Sequence, residues 1–216
     1  ANPHASQQGL EDAETDLEGW LVRKVADKFA RAENAAFVTG DGNGKPRGFT
    51  TYPDTALDDG SVEVGKIQQF VTGSSGAFRS DPDGLNDLLD LVYGLKSAYR
   101  SRANWAMNRM TLGATRKLQD SDGNYQWQPS NIVGQPSTLM GYPLASFEDM
   151  PTFSTANALA IAFGDFGEAY QIVDRVGISV LRDPYSAKPE VTFYTRKRVG
   201  GDVVNFEAIK LLKFGA

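Results

Sequence analysis

Between Leu17 and Ala36 the apolar residues fall into a helical rhythm. Leu17, Leu21, Val25, Phe29, Ala32 and Ala36 share one face, with Trp20 and Val22 beside them. Arg23, Lys24, Asp27, Lys28 and Arg31 occupy positions between. The spacing predicts a helix over Thr15–Thr39, about 37 Å long at the usual rise per residue. An average globular helix has only about 11–12 residues. Thr15 and Glu18 are spaced as a capping box, and Glu11, Asp12, Glu14 and Asp16 bring negative charge to the positive end of the helix dipole. Gly40 suits the C-terminal cap. Such a helix is a girder, with Leu17, Leu21, Val25 and Phe29 as its core side chains.

Beyond the girder the rhythm changes repeatedly. Residues 41–80 are rich in Gly, Pro, Asp, Ser and Thr, with strand-like pieces in "SVEVGKIQQFV". A second helix is expected from near Asp83, carrying Leu85, Leu88, Leu89, Val92 and Leu95. "ANWAMN" reads as a strand, Asn108 as the cap of a helix over 109–118, and "DSDGNYQWQ" as a turn into a strand. "MGYPLASFEDMP" and "NALAIAFGDFGEAYQIVD" add short strands. In the last third Val176, Ile178 and Val180 alternate with small polar positions, and Val191 and Phe193 alternate with Thr192 and Tyr194. Val204, Phe206 and Ala208 extend the two-residue period. Helices and strands are interspersed without a βαβ rhythm or internal repeats, so the fold class is α+β.

The stretch "ENAAFVTGDGNGKPRGF", Glu33 to Phe49, ends the long helix in a run of turn residues. A phosphate-binding loop would need Ser or Thr after Lys45 and a strand before it; neither is present. As a calcium loop, Asp41 and Asn43 match the first ligands, but Lys45 stands at the third and no bidentate Glu follows. A structural elbow needs less: Gly40, Asp41, Gly42, Gly44, Pro46 and Gly48 stop the helix, turn the chain and prevent a restart. The second candidate, Asp120, Asp122 and Asn124, has Tyr125 where a calcium loop requires Gly, so a β-turn is preferred.

Charge and composition narrow the chemistry. The 216 residues suffice for a substantial core, and a net charge of −5 gives no global attraction for nucleic acid or an anionic membrane. Cysteine is absent, and His4 is the only histidine. Thiolate catalysis, a Ser–His–Asp triad and a zinc site built on His or Cys are therefore not expected. Carboxylates are plentiful, and a glycosidase-like pair stays open as a remote alternative. The one basic cluster is "YTRKR": on a strand Arg196 and Arg198 share the face of Tyr194 while Lys197 points away. Protein–protein contact or solvation accounts for it better than nucleic acid does. No apolar run reaches membrane-spanning length and no signal peptide pattern opens the chain. It begins "ANPHASQQG" without Met, which suggests a fragment, a processed product or an ordered core.

Taken in order, these parts resemble the major capsid proteins of tailed bacteriophages, with the Hong Kong 97 phage fold. The long capped helix looks like the family's spine helix. Thr39-Gly40-Asp41-Gly42 and Gly44-Lys45-Pro46-Arg47-Gly48 match its exit elbow. "ANWAMNRMTLGATRKLQDSDGNYQW", "MGYPLASFEDMP" and "AFGDFGEAYQIVDRVGISVLRDPY" follow in the family's order, and "VNFEAIKLLKF" resembles its final strand. The wording is most similar to capsids of alphaproteobacterial prophages and gene transfer agents.

The resemblance implies a structural protein, not an enzyme, that forms hexamers and pentamers and then an icosahedral shell around double-stranded DNA. It implies a peripheral domain at 1–72 and 174–202 and an axial domain at 73–173 and 203–216. The family's N-terminal arm and extended loop are expected to be absent from this chain. Implied partners are further copies, portal and head-completion proteins, and DNA enclosed without sequence-specific binding. No cofactor, metal or membrane is implied, and the particle would assemble in the bacterial cytoplasm. Arg182, Asp183, Tyr185, Glu190, Arg196 and Arg198 become candidate subunit-interface residues, with "RDPYSAKPE" near three-fold axes. Glu190 near the family's cross-link acceptor position argues against autocatalytic cross-linking. An encapsulin-type shell is the alternative within the same fold.

Overall fold

The computed structural model of the chain describes residues 3–6, 8, 16–55, 64–79, 84–127 and 137–215. The helices are α1 (Leu17–Thr39), α2 (Gly84–Gly94), α3 (Ser97–Arg100), α4 (Arg109–Thr115) and α5 (Phe166–Ala169). The strands are β1 (His4–Ser6), β2 (Asp54–Thr55), β3 (Ile67–Val71), β4 (Asn104–Met107), β5 (Thr138–Leu139), β6 (Tyr142–Ser146), β7 (Ala158–Gly164), β8 (Tyr170–Ala187), β9 (Glu190–Val203) and β10 (Ile209–Phe214). They form a seven-stranded sheet, ordered β2-β3-β10-β7-β4-β6-β5, and a three-stranded sheet, β1-β9-β8.

The large sheet mixes directions: β10 runs antiparallel to β7 and parallel to β3, and β4 runs antiparallel to β7 and parallel to β6. Alternation assigns its two faces. Trp105, Met107, Ile161, Phe163, Leu212 and Phe214 point to one side, where Leu88, Leu91, Val92 and Leu95 from α2 and its C-terminal flank close the core. Burying side chains of this size contributes about 1.5–3 kcal/mol each. Ala106, Ala162, Ile209 and Leu211 point to the other side, against Val38 from the end of α1, Phe49, Tyr52 and Ala169. The alanines leave room for the chain that leaves the long helix.

Helix α1 starts at Asp16, whose side chain accepts the Gly19 N–H at 2.8 Å. That contact makes Asp16 the cap in place of the expected Thr15–Glu18 box; Thr15 lies outside the described residues. At about 34 Å the helix outruns the core it serves. Val25 is buried, but Leu17, Leu21 and Phe29 are half-buried and Ala32 is exposed. Only the last turn, with Ala36 and Val38, is buried again before the elbow.

Three other expectations shift. Residues 67–71, expected with the spine-helix domain, pair with β10 in the large sheet. Residues 206–208 form a short turn of helix capped by the Asn205 side chain, so the final strand begins at Ile209. The helix after Asn108 ends at Thr115, short of 118; its cap is as expected, the Asn108 side chain accepting the Met110 N–H at 3.0 Å.

Candidate assembly surfaces

The elbow is built from two kinds of glycine. Gly42 and Gly44 have φ of 79° and 66°, the left-handed region where a Cβ is disfavoured. Gly40 and Gly48 are needed for contact: a Cβ on Gly40 would lie 2.2 Å from the Pro46 carbonyl oxygen, and one on Gly48 the same distance from that of Val38. Gly40 therefore ends the helix in extended backbone, φ −65° and ψ 144°, and not as a left-handed cap. Its N–H still donates to the Ala36 carbonyl at 2.9 Å, and the Gly40 carbonyl accepts from the Gly48 N–H at 2.8 Å and the Thr51 hydroxyl at 3.0 Å. Pro46 is buried beneath this crossing. Asp41, the former calcium candidate, is engaged locally: it accepts the Asn43 N–H at 3.0 Å and meets Lys45 at 3.3 Å. The Asn43 N–H and then Lys45 hold its carboxyl below the usual range. Asp120 is likewise held low, first by the Asn124 N–H and then by the Asn124 side chain and the Asp122 N–H. Among the described residues no group of three or more His, Asp or Glu side chains is placed to hold a metal.

The elbow is clipped to the second sheet. Arg47 donates its N–H to the Gly201 carbonyl at 2.9 Å, and the Arg47 carbonyl accepts the Tyr170 hydroxyl at 2.8 Å. The Arg47 guanidinium lies 3.9 Å from the Tyr52 ring centre, and the Tyr52 hydroxyl donates to Asp202. Burial pushes the Tyr170 hydroxyl up to about 12, so it stays a donor throughout the neutral range. None of Tyr52, Tyr170 and Asp202 is conspicuous in the sequence. Their partners lie 123 and 150 positions away, and no local pattern announces them.

The β8–β9 hairpin presents two unlike faces. On β9, Val191, Phe193 and Thr195 are buried, and Lys197 on the same face bonds Glu33 of α1 at 2.7 Å and lies 3.7 Å from Asp174. Glu33 first, then Asp174, raises the Lys197 ammonium above its ordinary value. Tyr194, Arg196 and Arg198 face outward and are exposed. Lys197 is the connection that sequence reading set aside as merely pointing away; its alternation with two arginines beside a long charged helix was the available signal.

On β8 the expected alternation is broken. Val176 pairs with Arg198, but Val180 pairs with Thr195, so bulging between Val176 and Ser179 places the two valines on opposite faces. Ile172, Val173, Val176, Ile178, Val180 and Leu181 are each more than a third exposed. Of the remaining interface candidates, Arg182 pairs with Phe193 on the α1 side and Glu190 pairs with Ser6, its carboxylate 3.6 Å from His4. Tyr185 is 79% exposed near the hairpin tip. Asp183 shapes that tip, accepting the Tyr185 N–H at 2.8 Å, the Ser186 N–H at 3.2 Å and the Ser186 hydroxyl.

A separate apolar hollow of about 260 Å³ opens where α1 meets the large sheet, lined by Phe37, Val38, Phe49, Phe147, Phe166 and Tyr170 among others. No helix among the described residues is long and apolar enough to cross a membrane.

A long helix whose last turn packs on a mixed sheet and whose elbow is clipped to an extended, outward-exposed hairpin defines a shell-building subunit of the Hong Kong 97 phage type. Solved structures agree. The capsid of an empty GTA particle is 50% identical, with a TM-score of 0.91, covering 100% of this chain and 72% of that one. The capsid of a native GTA particle gives the same identity and TM-score and is covered to 71%. The capsid of Myoviridae phage XM1 shares the fold at 14% identity and a TM-score of 0.63, covering 99% of this chain and 71% of that one. The SrpI encapsulin of Synechococcus elongatus PCC 7942 also shares the fold, at 14% identity and a TM-score of 0.64, covering 100% of this chain and 73% of that one. No curated protein matches. The phage capsid family profile matches residues 1–214, and the chain belongs to that family.

Proposed function

We propose that the protein is the major capsid protein of a phage-like or gene transfer agent particle, building an icosahedral shell around double-stranded DNA. The carrying observation is the 50% identity, across the whole chain, to the capsids of GTA particles. The encapsulin alternative has only fold-level support, at 14% identity.

In this reading α1, the elbow and the β8–β9 hairpin form the peripheral domain, and the large sheet with α2 forms the axial domain around five- and six-fold centres. β2 and β3, inside the 1–72 segment, are counted with the axial domain because they belong to the large sheet. The hairpin tip around Asp183 and Tyr185 meets its counterparts near three-fold axes. Closed symmetry multiplies modest contacts into a stable shell. The subunits are held without covalent cross-links, and portal and head-completion proteins occupy the special vertices. Assembly takes place in the bacterial cytoplasm. A net charge of −5 suits a container that encloses DNA without gripping its phosphates.

The test is electron microscopy of particles from the native source, followed by nuclease treatment, DNA extraction and denaturing gel electrophoresis. Uniform shells with protected DNA and a monomer-sized protein band support the proposal. Shells enclosing protein cargo and no DNA would transfer it to the encapsulin reading.

A further inference from the structure

The elbow is tight at its base and loose at its tip. Gly40 and Gly48 are bonded across the base at 2.8 Å, Pro46 is buried beneath them, and Arg47 donates to Gly201. Between these anchors Asp41, Gly42, Asn43, Gly44 and Lys45 are all exposed. Asn43–Gly44 is also the one Asn-Gly pair in the sequence. Among the described residues the Asn43 carboxamide has no hydrogen-bond partner, and neither has the Gly44 N–H. A Cβ built on Gly44 would meet nothing within 4 Å, so the backbone there has open space around it. Gly44 itself carries no Cβ to shield its nitrogen from the preceding side chain. Comparable positions are restrained. Asn34 lies inside α1, and the side-chain oxygens of Asn108 and Asn205 are engaged as caps. The nitrogens that follow Asn157 and Asp122 are hydrogen-bonded, Ala158 to Thr155 at 3.2 Å and Gly123 to Asp120 at 3.0 Å. Asp41 also precedes a glycine, but the Asn43 N–H and Lys45 keep it ionised, and a carboxylate is a poor acyl donor.

We propose that Asn43 is a site of spontaneous deamidation in the folded subunit. The exposed Gly44 N–H gives its proton to solvent, and the nitrogen attacks the Asn43 side-chain carbonyl carbon. A new carbon–nitrogen bond closes a five-membered succinimide. The bond from that carbon to the carboxamide nitrogen breaks, and the nitrogen takes up a proton and leaves as ammonia. A water molecule then opens the ring. Attack at the side-chain carbonyl gives aspartate; attack at the main-chain carbonyl gives isoaspartate, whose chain runs through the side-chain carbons and is longer by a methylene. Nothing is oxidised or reduced, and water is the only co-reactant. The anchors at Gly40, Gly48 and Arg47 keep the base in place while the exposed tip takes up the extra carbon. Either product turns a neutral amide into a carboxylate close to Asp41, so the two compete for Lys45. Gly44 and Lys45 also border a groove of about 480 Å³ between α1 and β9, whose other charged lining is Glu33, Lys197 and Arg198. The modification therefore adds negative charge at the rim of that groove. In a shell this change recurs in every copy and accumulates with age, but the chemistry does not depend on the shell reading.

The experiment incubates the full-length protein at mildly alkaline pH and follows its proteolytic peptides by mass spectrometry. Electron-transfer fragmentation separates aspartate from isoaspartate, and circular dichroism at each time point confirms that the protein stays folded. A synthetic Gly-Asp-Gly-Asn-Gly-Lys peptide gives the unrestrained rate. Asn43 is expected to react at least about tenfold faster than any other asparagine among the described residues, a difference of about 1.4 kcal/mol in barrier. It is expected to yield both aspartate and isoaspartate, at a rate within about tenfold of the peptide's. In G44A the added Cβ has room in the fold but crowds the attacking nitrogen, so the reaction slows at least about tenfold. A folded-state rate more than about tenfold below the peptide's means that the elbow protects Asn43, and overturns the proposal. Aspartate without isoaspartate overturns the ring route, as does an unchanged rate in G44A. If G44A fails to fold, the wild-type rate against the peptide and the two products decide the matter without it.

Discussion

Replacing Gly48 with Ala tests whether the elbow is held by contact or only by backbone freedom. A Cβ at Gly48 would lie 2.2 Å from the Val38 carbonyl oxygen, 2.4 Å from its carbon and 2.5 Å from the Thr39 nitrogen. All three atoms belong to the last turn of α1, so no side-chain rotation relieves the clash. The chain must move by about 1 Å, and overpacking of this kind costs about 1–3 kcal/mol. The same movement disturbs the Gly48 N–H bond to Gly40 and the Thr50 hydroxyl bond to Val38, each worth about 0.5–1.5 kcal/mol. The total is about 2–6 kcal/mol. For a chain of this length that lowers the melting temperature by about 4–24 °C. Gly44 is the control: its φ is 66°, but a Cβ there meets nothing within 4 Å. G44A loses only the left-handed preference, about 1–2 kcal/mol, and G44N less, because Asn tolerates that region. Urea and thermal unfolding of unassembled subunits would rank the three variants. If G48A is as stable as wild type, or more stable than G44A, the contact account of the elbow is wrong.

Three further variants probe other joints. K197M severs α1 from the hairpin and should cost roughly 1–3 kcal/mol in urea unfolding. Because Glu33 raises the Lys197 pKa, this stabilisation is complete below its ordinary value of 10.5 and is lost as pH rises through the folded value; the gap between wild type and K197M should close there. At the tip, the Ser186 hydroxyl and then the Tyr185 N–H depress the Asp183 pKa, so the turn is held above the ordinary value of 3.8 and released as pH falls through the lower folded one. Amide NMR shifts of Tyr185 and Ser186 should titrate below 3.8 in wild type and not in D183A. W105F removes the buried indole N–H that donates to the Leu139 carbonyl at 3.0 Å, and should cost about 2–4 kcal/mol through an unsatisfied acceptor and lost volume.

Long periodic segments were readable because one face must be buried whatever the tertiary context. That is why α1, α2 and the strand at Asn104–Met107 stand near their expected places, and why Asn108 could be read as a cap from its position alone. Composition also marked residues 40–48 as a turn. It could not separate the glycines needed for positive φ from those needed for close approach, since that depends on where Val38 and Pro46 come to lie. The clips from Arg47 to Tyr170 and Gly201, and from Tyr52 to Asp202, join distant segments, and nothing local encodes them. Periodicity overstated burial at two places: Leu21 and Phe29 on α1 have the spacing of core residues yet are only half-buried in the single subunit, and the valines of β8 are exposed. A hydrophobic period reports that a face is covered in the functional state, not which chain covers it.

The most direct test is a cryo-electron microscopy reconstruction of the particle, with solvent exposure measured for each subunit in place. The capsid account predicts an icosahedral shell in which Leu21, Phe29, Val176, Leu181 and Tyr194 are all covered by neighbouring copies. Particles whose subunits leave these side chains in solvent, or a full-length protein found only as monomers under every assembly condition, would contradict it.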